Sequence, residues 1–131
     1  MSIKGIAHIA GIFEHPTRKA VDLSVAQLHA DWTSLDDKLT WNAEVAAGAL
    51  ADAGIDKDMV DGYFCAGDAP GLGPLSMIEY MGLNNLRHMD STDVGGSSYV
   101  LHIGHAAEAI AMGKCNVALI TLAGRPRAEG M

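Results

Sequence analysis

Aromatic residues are scarce in this chain, at 5% of its 131 residues. Its core cannot rest on large rings. It must be assembled from Ala, Val, Ile, Leu and Met, with close backbone approaches at some of the 15 glycines. Positive charge is also thin: 9 Lys and Arg stand against 16 Asp and Glu, for a formal net charge of -7. Arg125 and Arg127 are the densest basic pair, so the basic stripe that nucleic-acid binding demands is lacking. Cysteine is limited to Cys65 and Cys115, which form no C-x-x-C pair. No apolar run approaches the length of a membrane span. The first residues lack the basic and apolar regions of a secretory leader. Together these absences point to a cytoplasmic protein with reduced thiols and no membrane span.

The composition that remains, 49% hydrophobic and 19% charged, is that of a folded domain, and the length suits a single one over 1–131. Ile3 to Phe13 reads as a buried strand, closed by Glu14-His15-Pro16. Asp22 or Ser24 can cap a helix through Val25, Leu28 and His29. Thr33-Ser34 marks a fresh helix start and Asn42 a further cap, before a helix over Ala43 to Ala53 that ends at Gly54. Met59 to Ala66 reads as a second strand, Gly67 to Pro74 as a loop, and Pro74 or Ser76 opens a short helix ending at Gly82. Leu86 to Val94 is a weaker strand, followed by a helix from Ser98 to Met112 and a strand from Asn116 to Leu122. The tail from Ala123 to Met131 is polar. Alternation of strand and helix predicts an α/β fold with a mainly parallel sheet. The helix from Ser98 is apolar or small on almost every side, which predicts a helix buried within a larger body.

The most distinctive stretch is Asp93-Val94-Gly95-Gly96-Ser97-Ser98-Tyr99. A glycine pair ends a strand and two serines open the small-residue helix. Unpaired N–H groups at such a helix start favour an anion or a developing oxyanion. Gly95, Gly96, Ser97 and Ser98 are therefore the candidate substrate-binding residues.

This order of elements resembles the N-terminal half of the thiolase superfamily, and most of all its lipid-transfer branch, the sterol carrier protein X type thiolases. The resemblance rests on Ile6-Ala7-His8-Ile9-Ala10-Gly11, on Ala46 to Ile55 followed by Val60-Asp61-Gly62, and on Gly95 to Gly113. It implies two similar halves with helices buried between two sheets, and chemistry on acyl-CoA thioesters through an acyl-cysteine. It also implies that the strand Leu86 to Val94 pairs with its symmetry mate at a dimer interface.

Three departures stand out. The position of the family's cysteine falls on Gly96, or on Gly95 in a second alignment, so no catalytic residue is assigned. Residues 32–42 read as an insertion. The C-terminal half, with its histidines and most of the CoA pocket, is absent from the sequence. The expected function is thus a thiolase-like protein related to acyl-CoA acyltransferases of lipid metabolism. It would not be a competent thiolase alone, and would serve as a lipid- or acyl-CoA-binding or aldolase-type subunit. The alternatives are a non-catalytic structural subunit and a fragment of a full-length protein. An acyl-CoA or lipid-derived thioester is the expected ligand and a homo-oligomer or hetero-complex the expected state, with no cofactor and no metal.

Other residues weigh less. Ser97 and Ser98 lack an identifiable general base and read as helix caps. His102, His105 and Glu108 form a ladder that drifts around the helix, which suits hydrogen-bonded histidines better than a metal site. Cys65 neighbours acidic rather than basic residues and reads as packing, as does Cys115. Gly67 to Gly73 lacks a phosphate-loop pattern. Tyr99, of the three tyrosines, lies in the presumed pocket.

Overall fold

A computed structural model describes residues 2–14, 35–66 and 72–122, with only the backbone path for 35–41. Three helices, α1 (Leu35–Ala53), α2 (Pro74–Met81) and α3 (Ser98–Ala111), alternate with three strands, β1 (Gly62–Phe64), β2 (His88–Asp90) and β3 (Ala118–Ile120). The strands form a parallel sheet in the order β2-β1-β3. The chain is an α/β protein.

Layering follows from the alternation of side chains along the strands. Tyr63, Cys65 and Leu119 face one side, where they pack with Val60, Ala46 of α1 and Met77 of α2. Phe64 faces the other, against Ala106 and Ala109 of α3 and Cys115. The central strand β1 is buried along its whole length, as a parallel strand covered on both faces should be. The buried Tyr63 hydroxyl meets the Thr121 hydroxyl at 2.6 Å, so its polar end is satisfied inside the core.

One carboxylate ties the strand starts together. Asp61, just before β1, accepts from the backbone N–H of Asn116 and of Val117, both at 2.8 Å. The Asn116 side-chain amide adds a longer contact at 3.3 Å. The Asp61 carbonyl accepts from the N–H groups of Arg87 (2.8 Å) and His88 (3.1 Å) where β2 begins, and its own N–H donates to Val117 (3.2 Å). The Arg87 guanidinium lies 3.9 Å from the Asp61 carboxylate and donates to the Gly113 carbonyl at 3.3 Å.

Several expected elements hold. The short helix begins at Pro74 and ends at Gly82, whose φ of 65° suits the left-handed cap. The helix from Ser98 and the strands within Met59–Ala66, Leu86–Val94 and Asn116–Leu122 are present, each strand shorter than expected. Met59 instead closes a 3-10 turn, Lys57–Met59, that Asp56 caps through its side chain.

Others do not hold. Asn42 caps nothing: α1 runs unbroken from Leu35 through it, and its side chain is buried within the helix. Ile3 to Phe13 is not a strand. Its isoleucines stand three apart, a spacing that no single strand face can share, and Ile9 and Ile12 are 70% and 74% exposed. The segment crosses α1 instead. A Cβ at Gly11 would stand 2.5 Å from the Ala49 carbonyl oxygen, so only glycine permits this crossing. The Ile12 N–H donates to the Asp52 carboxylate at 2.8 Å. The helix expected from Asp22 or Ser24, the start at Thr33-Ser34, most of the Gly67–Pro74 loop and the tail lie outside the described residues.

Removing the Asp61 carboxylate strands two backbone N–H groups at the start of β3. Asp61→Ala should therefore cost about 2–3 kcal/mol, seen as a lower urea midpoint at unchanged m-value. Loss below about 0.5 kcal/mol would show that the strand starts hold without it.

Candidate functional site

The turn before α3 is built by two side chains. Asp93 accepts from the N–H of Gly95 at 3.0 Å, an Asx-type turn. The Ser98 hydroxyl donates to the Gly95 carbonyl at 2.6 Å and accepts from the N–H of Val94 at 2.9 Å. Ser98 is fully buried. Expected as a helix cap, it binds backward into the turn because Gly95 brings Val94 within reach of its hydroxyl. Ser97 holds the N-cap position and makes no side-chain capping bond.

Gly95 has a φ of 78°, and Gly96 does not share this left-handed conformation. Space for a Cβ is open at both. Sterics and torsion thus make Gly96 the position where a side chain would fit without strain. The turn stands at a helix start, as expected, but Gly95, Gly96 and Ser97 are exposed in this chain rather than enclosed in a pocket.

Beside the turn sits a pair that sequence reading did not find. The Nδ1 of His105 lies 2.5 Å from the Asp90 carboxylate, so the ring donates there and Nε2 is left to act. The ring borders a shallow surface hollow with Val94, Ser97, Val100, Leu101, Gly104 and Glu108. Burial raises the Asp90 pKa, but the Thr92 hydroxyl, His105 and the Thr92 N–H outweigh it and bring the carboxyl to about 2. Thr92 donates to Asp90 twice, from its N–H at 2.8 Å and its hydroxyl at 2.7 Å.

His102 turns the other way. Its Nε2 lies 2.8 Å from the Thr92 carbonyl, which can only accept, so Nε2 carries the proton. The ring is fully buried between Phe64 and Tyr99, and Nδ1 has no hydrogen-bond partner. The His102, His105 and Glu108 ladder therefore does not converge. No cluster of three or more His, Cys, Asp or Glu able to hold a metal occurs among the described residues.

Tyr99 lines a different and larger feature, an apolar groove of about 810 Å³ between β3, α3, α1 and the N-terminal segment. Cys65 and Cys115 are not joined in a disulfide, and both are fully buried. Burial, then the charge of Asp61, push the Cys115 thiol up despite the opposing effect of Arg87, the reverse of what a nucleophile needs. Among the described residues one face of α3 is covered and the other is open. The helix packs Ser98, His102, Ala106 and Ala109 on the sheet, while Val100 and Met112 are 74% and 64% exposed.

No protein-family profile matches the sequence, and no curated protein matches it. Among solved structures the chain is similar to one named "Ltp2-ChsH2(DUF35) aldolase", with a TM-score of 0.57 and 25% identity over 63% of this chain. The match spans 22% of that chain. No described helix is long and apolar enough to cross a membrane.

Two outcomes test this geometry. Gly95→Ala should destabilise the chain by about 1 kcal/mol because alanine resists the left-handed torsion, while Gly96→Ala should change stability by less than about 0.5 kcal/mol. Equal losses in thermal unfolding would contradict the assigned turn. The depressed Asp90 pKa makes a stabilising contribution that is present above about pH 4 and lost as pH falls through about 2. Asp90→Asn should remove that acid-limb dependence and lower neutral-pH stability by about 2 kcal/mol. An unchanged acid limb would show that Asp90 is not held ionised by these contacts.

Proposed function

We propose that this chain is the N-terminal portion of a thiolase-like carbon–carbon lyase, an aldolase-type subunit that acts on a lipid-derived β-hydroxyacyl-CoA thioester within an oligomer or hetero-complex. The observation that carries this reading is the pairing of a sulfur-free glycine turn at the start of α3 with the Asp90–His105 couple beside it. The similarity to a solved aldolase supports it, and that aldolase's name, Ltp2-ChsH2, joins two components.

A retro-aldol cleavage needs no acyl-enzyme. His105 Nε2 removes the proton from the substrate's β-hydroxyl. The bond between the α and β carbons breaks, the β carbon leaves as a carbonyl product, and the electron pair passes to the thioester as an enolate. Backbone N–H groups at Gly96 and Ser97, with the positive end of α3, stabilise that enolate oxygen. The proton returns to the α carbon and gives the shortened thioester. Asp90 orients the ring and stabilises the imidazolium formed in the first step. Gly95 and Ser98 shape the turn that carries these donors.

In the assembled protein, His105→Gln should lower cleavage of a β-hydroxyacyl-CoA by about 100-fold or more, with the fold intact by circular dichroism. Activity within threefold of the unaltered assembly would remove His105 from the chemistry. Absence of turnover in the unaltered assembly would remove the lyase reading.

A second reading, a non-catalytic structural subunit, is favoured by the exposure of residues 93–97. Calorimetric titration with a CoA ester separates the two. Heat of binding that disappears in Gly96→Val supports a ligand site at the turn, and no heat leaves only the structural role.

A further inference from the structure

We propose that Thr92 is a positioning residue: its hydroxyl pins one oxygen of Asp90, so that the other stays on His105 and the proton of that ring stays on Nδ1. Its consequence in catalysis rests on the lyase reading above, while the proton placement itself needs no substrate.

The two oxygens of Asp90 have separate tasks. Oδ1 accepts from the Thr92 N–H at 2.8 Å and from the Thr92 hydroxyl at 2.7 Å. Oδ2 faces Nδ1 of His105 at 2.5 Å. The last torsion of an Asp side chain is soft, so nothing within Asp90 itself fixes which oxygen meets the ring. That side chain is 21% exposed, so water can compete for either oxygen. Two donors on one oxygen settle the orientation, and the β-branched Thr92 side chain holds its hydroxyl in few rotamers. Burial raises the Asp90 pKa, and the Thr92 hydroxyl is the largest of the opposing influences that bring it to about 2.

Thr92 is itself held from α3. The buried His102 donates from Nε2 to the Thr92 carbonyl at 2.8 Å. His102 stands one turn before His105 on the same helix, with ring centroids 6.4 Å apart. The contacts close a circuit from α3 through His102, Thr92, Asp90 and His105 back to α3. Asp90 is thereby located by the helix that carries the ring it must meet, and not by β2 alone. The backbone bonds of residue 92 are open to almost any residue, whereas the hydroxyl selects Thr or Ser. Without that hydroxyl, the neutral His105 ring is free to carry its proton on Nε2, where it cannot accept one from a substrate.

The test is nitrogen–proton correlation in alkaline buffer on the full, isotope-labelled chain and on its Thr92→Val and Thr92→Ser variants. Expected in Thr92→Val is a rise of about tenfold in the population of His105 with its proton on Nε2. His102 should not change, because the carbonyl it meets remains. Thr92→Ser should restore the distribution of the unaltered chain. An unchanged His105 in Thr92→Val, a change at both histidines together, or no rescue by serine would each overturn the proposal. One measurement is independent of how any variant folds: in the unaltered chain the Thr92 hydroxyl proton should exchange about tenfold or more slowly than that of a free threonine. Exchange at the free rate would overturn the proposal as well. In the assembled protein, Thr92→Val should lower kcat for β-hydroxyacyl-CoA cleavage by about tenfold with KM within about twofold. Cleavage by Thr92→Val at the unaltered rate would overturn the positioning role. Absence of cleavage by the unaltered assembly would instead remove the lyase reading, and the proton placement would still decide for or against Thr92.

Discussion

Asp61 governs the geometry of everything downstream. Through its carboxylate it fixes the start of β3, and through its carbonyl it fixes the start of β2. A short three-stranded sheet has few ladder bonds of its own, so a buried carboxylate that satisfies several main-chain donors sets the relative height of the strands. That height decides where β2 ends. Asp90 is the last residue of β2, and the turn into α3 follows directly. The distance from Asp90 to His105 is thus set in part at the opposite end of the sheet.

The candidate site couples two uses of short-range polarity. Asp93 and Ser98 bend the backbone so that the helix start is presented, and Thr92 bridges the two histidines. Its N–H and hydroxyl hold Asp90 ionised toward His105, and its carbonyl fixes the proton of His102. One residue therefore assigns opposite tautomers to two histidines a single turn apart. The two cysteines are remote from this task and buried in the core, so acid–base chemistry is the resource the described residues offer.

Local chemistry made much of the fold legible in the sequence. Pro74 and Gly82 bound α2, Gly54 follows α1 with a φ of 67°, and the run around Leu119 announces β3. What escaped was tertiary. Asn42 looks like a cap, yet it is buried inside a continuous helix. The isoleucines of Ile3 to Phe13 suggest a strand, yet among the described residues no neighbour pairs with it. The turn at Gly95 was visible because glycine and serine mark it locally. The Asp90–His105 couple was not, because it joins residues 15 apart across a strand, a turn and a helix. Asp61 was invisible as a tie for the same reason, since its donors lie 55 and 56 residues away.

Proton placement on the two histidines tests the site most directly. Long-range nitrogen–proton correlation spectra of the labelled chain, taken in alkaline buffer where free imidazole is neutral, report the tautomer of each ring. Expected is a proton on Nδ1 of His105, donated to Asp90, and on Nε2 of His102, donated to Thr92. A proton on Nε2 of His105 would contradict the account, because the nitrogen assigned to take the substrate's proton would already hold one.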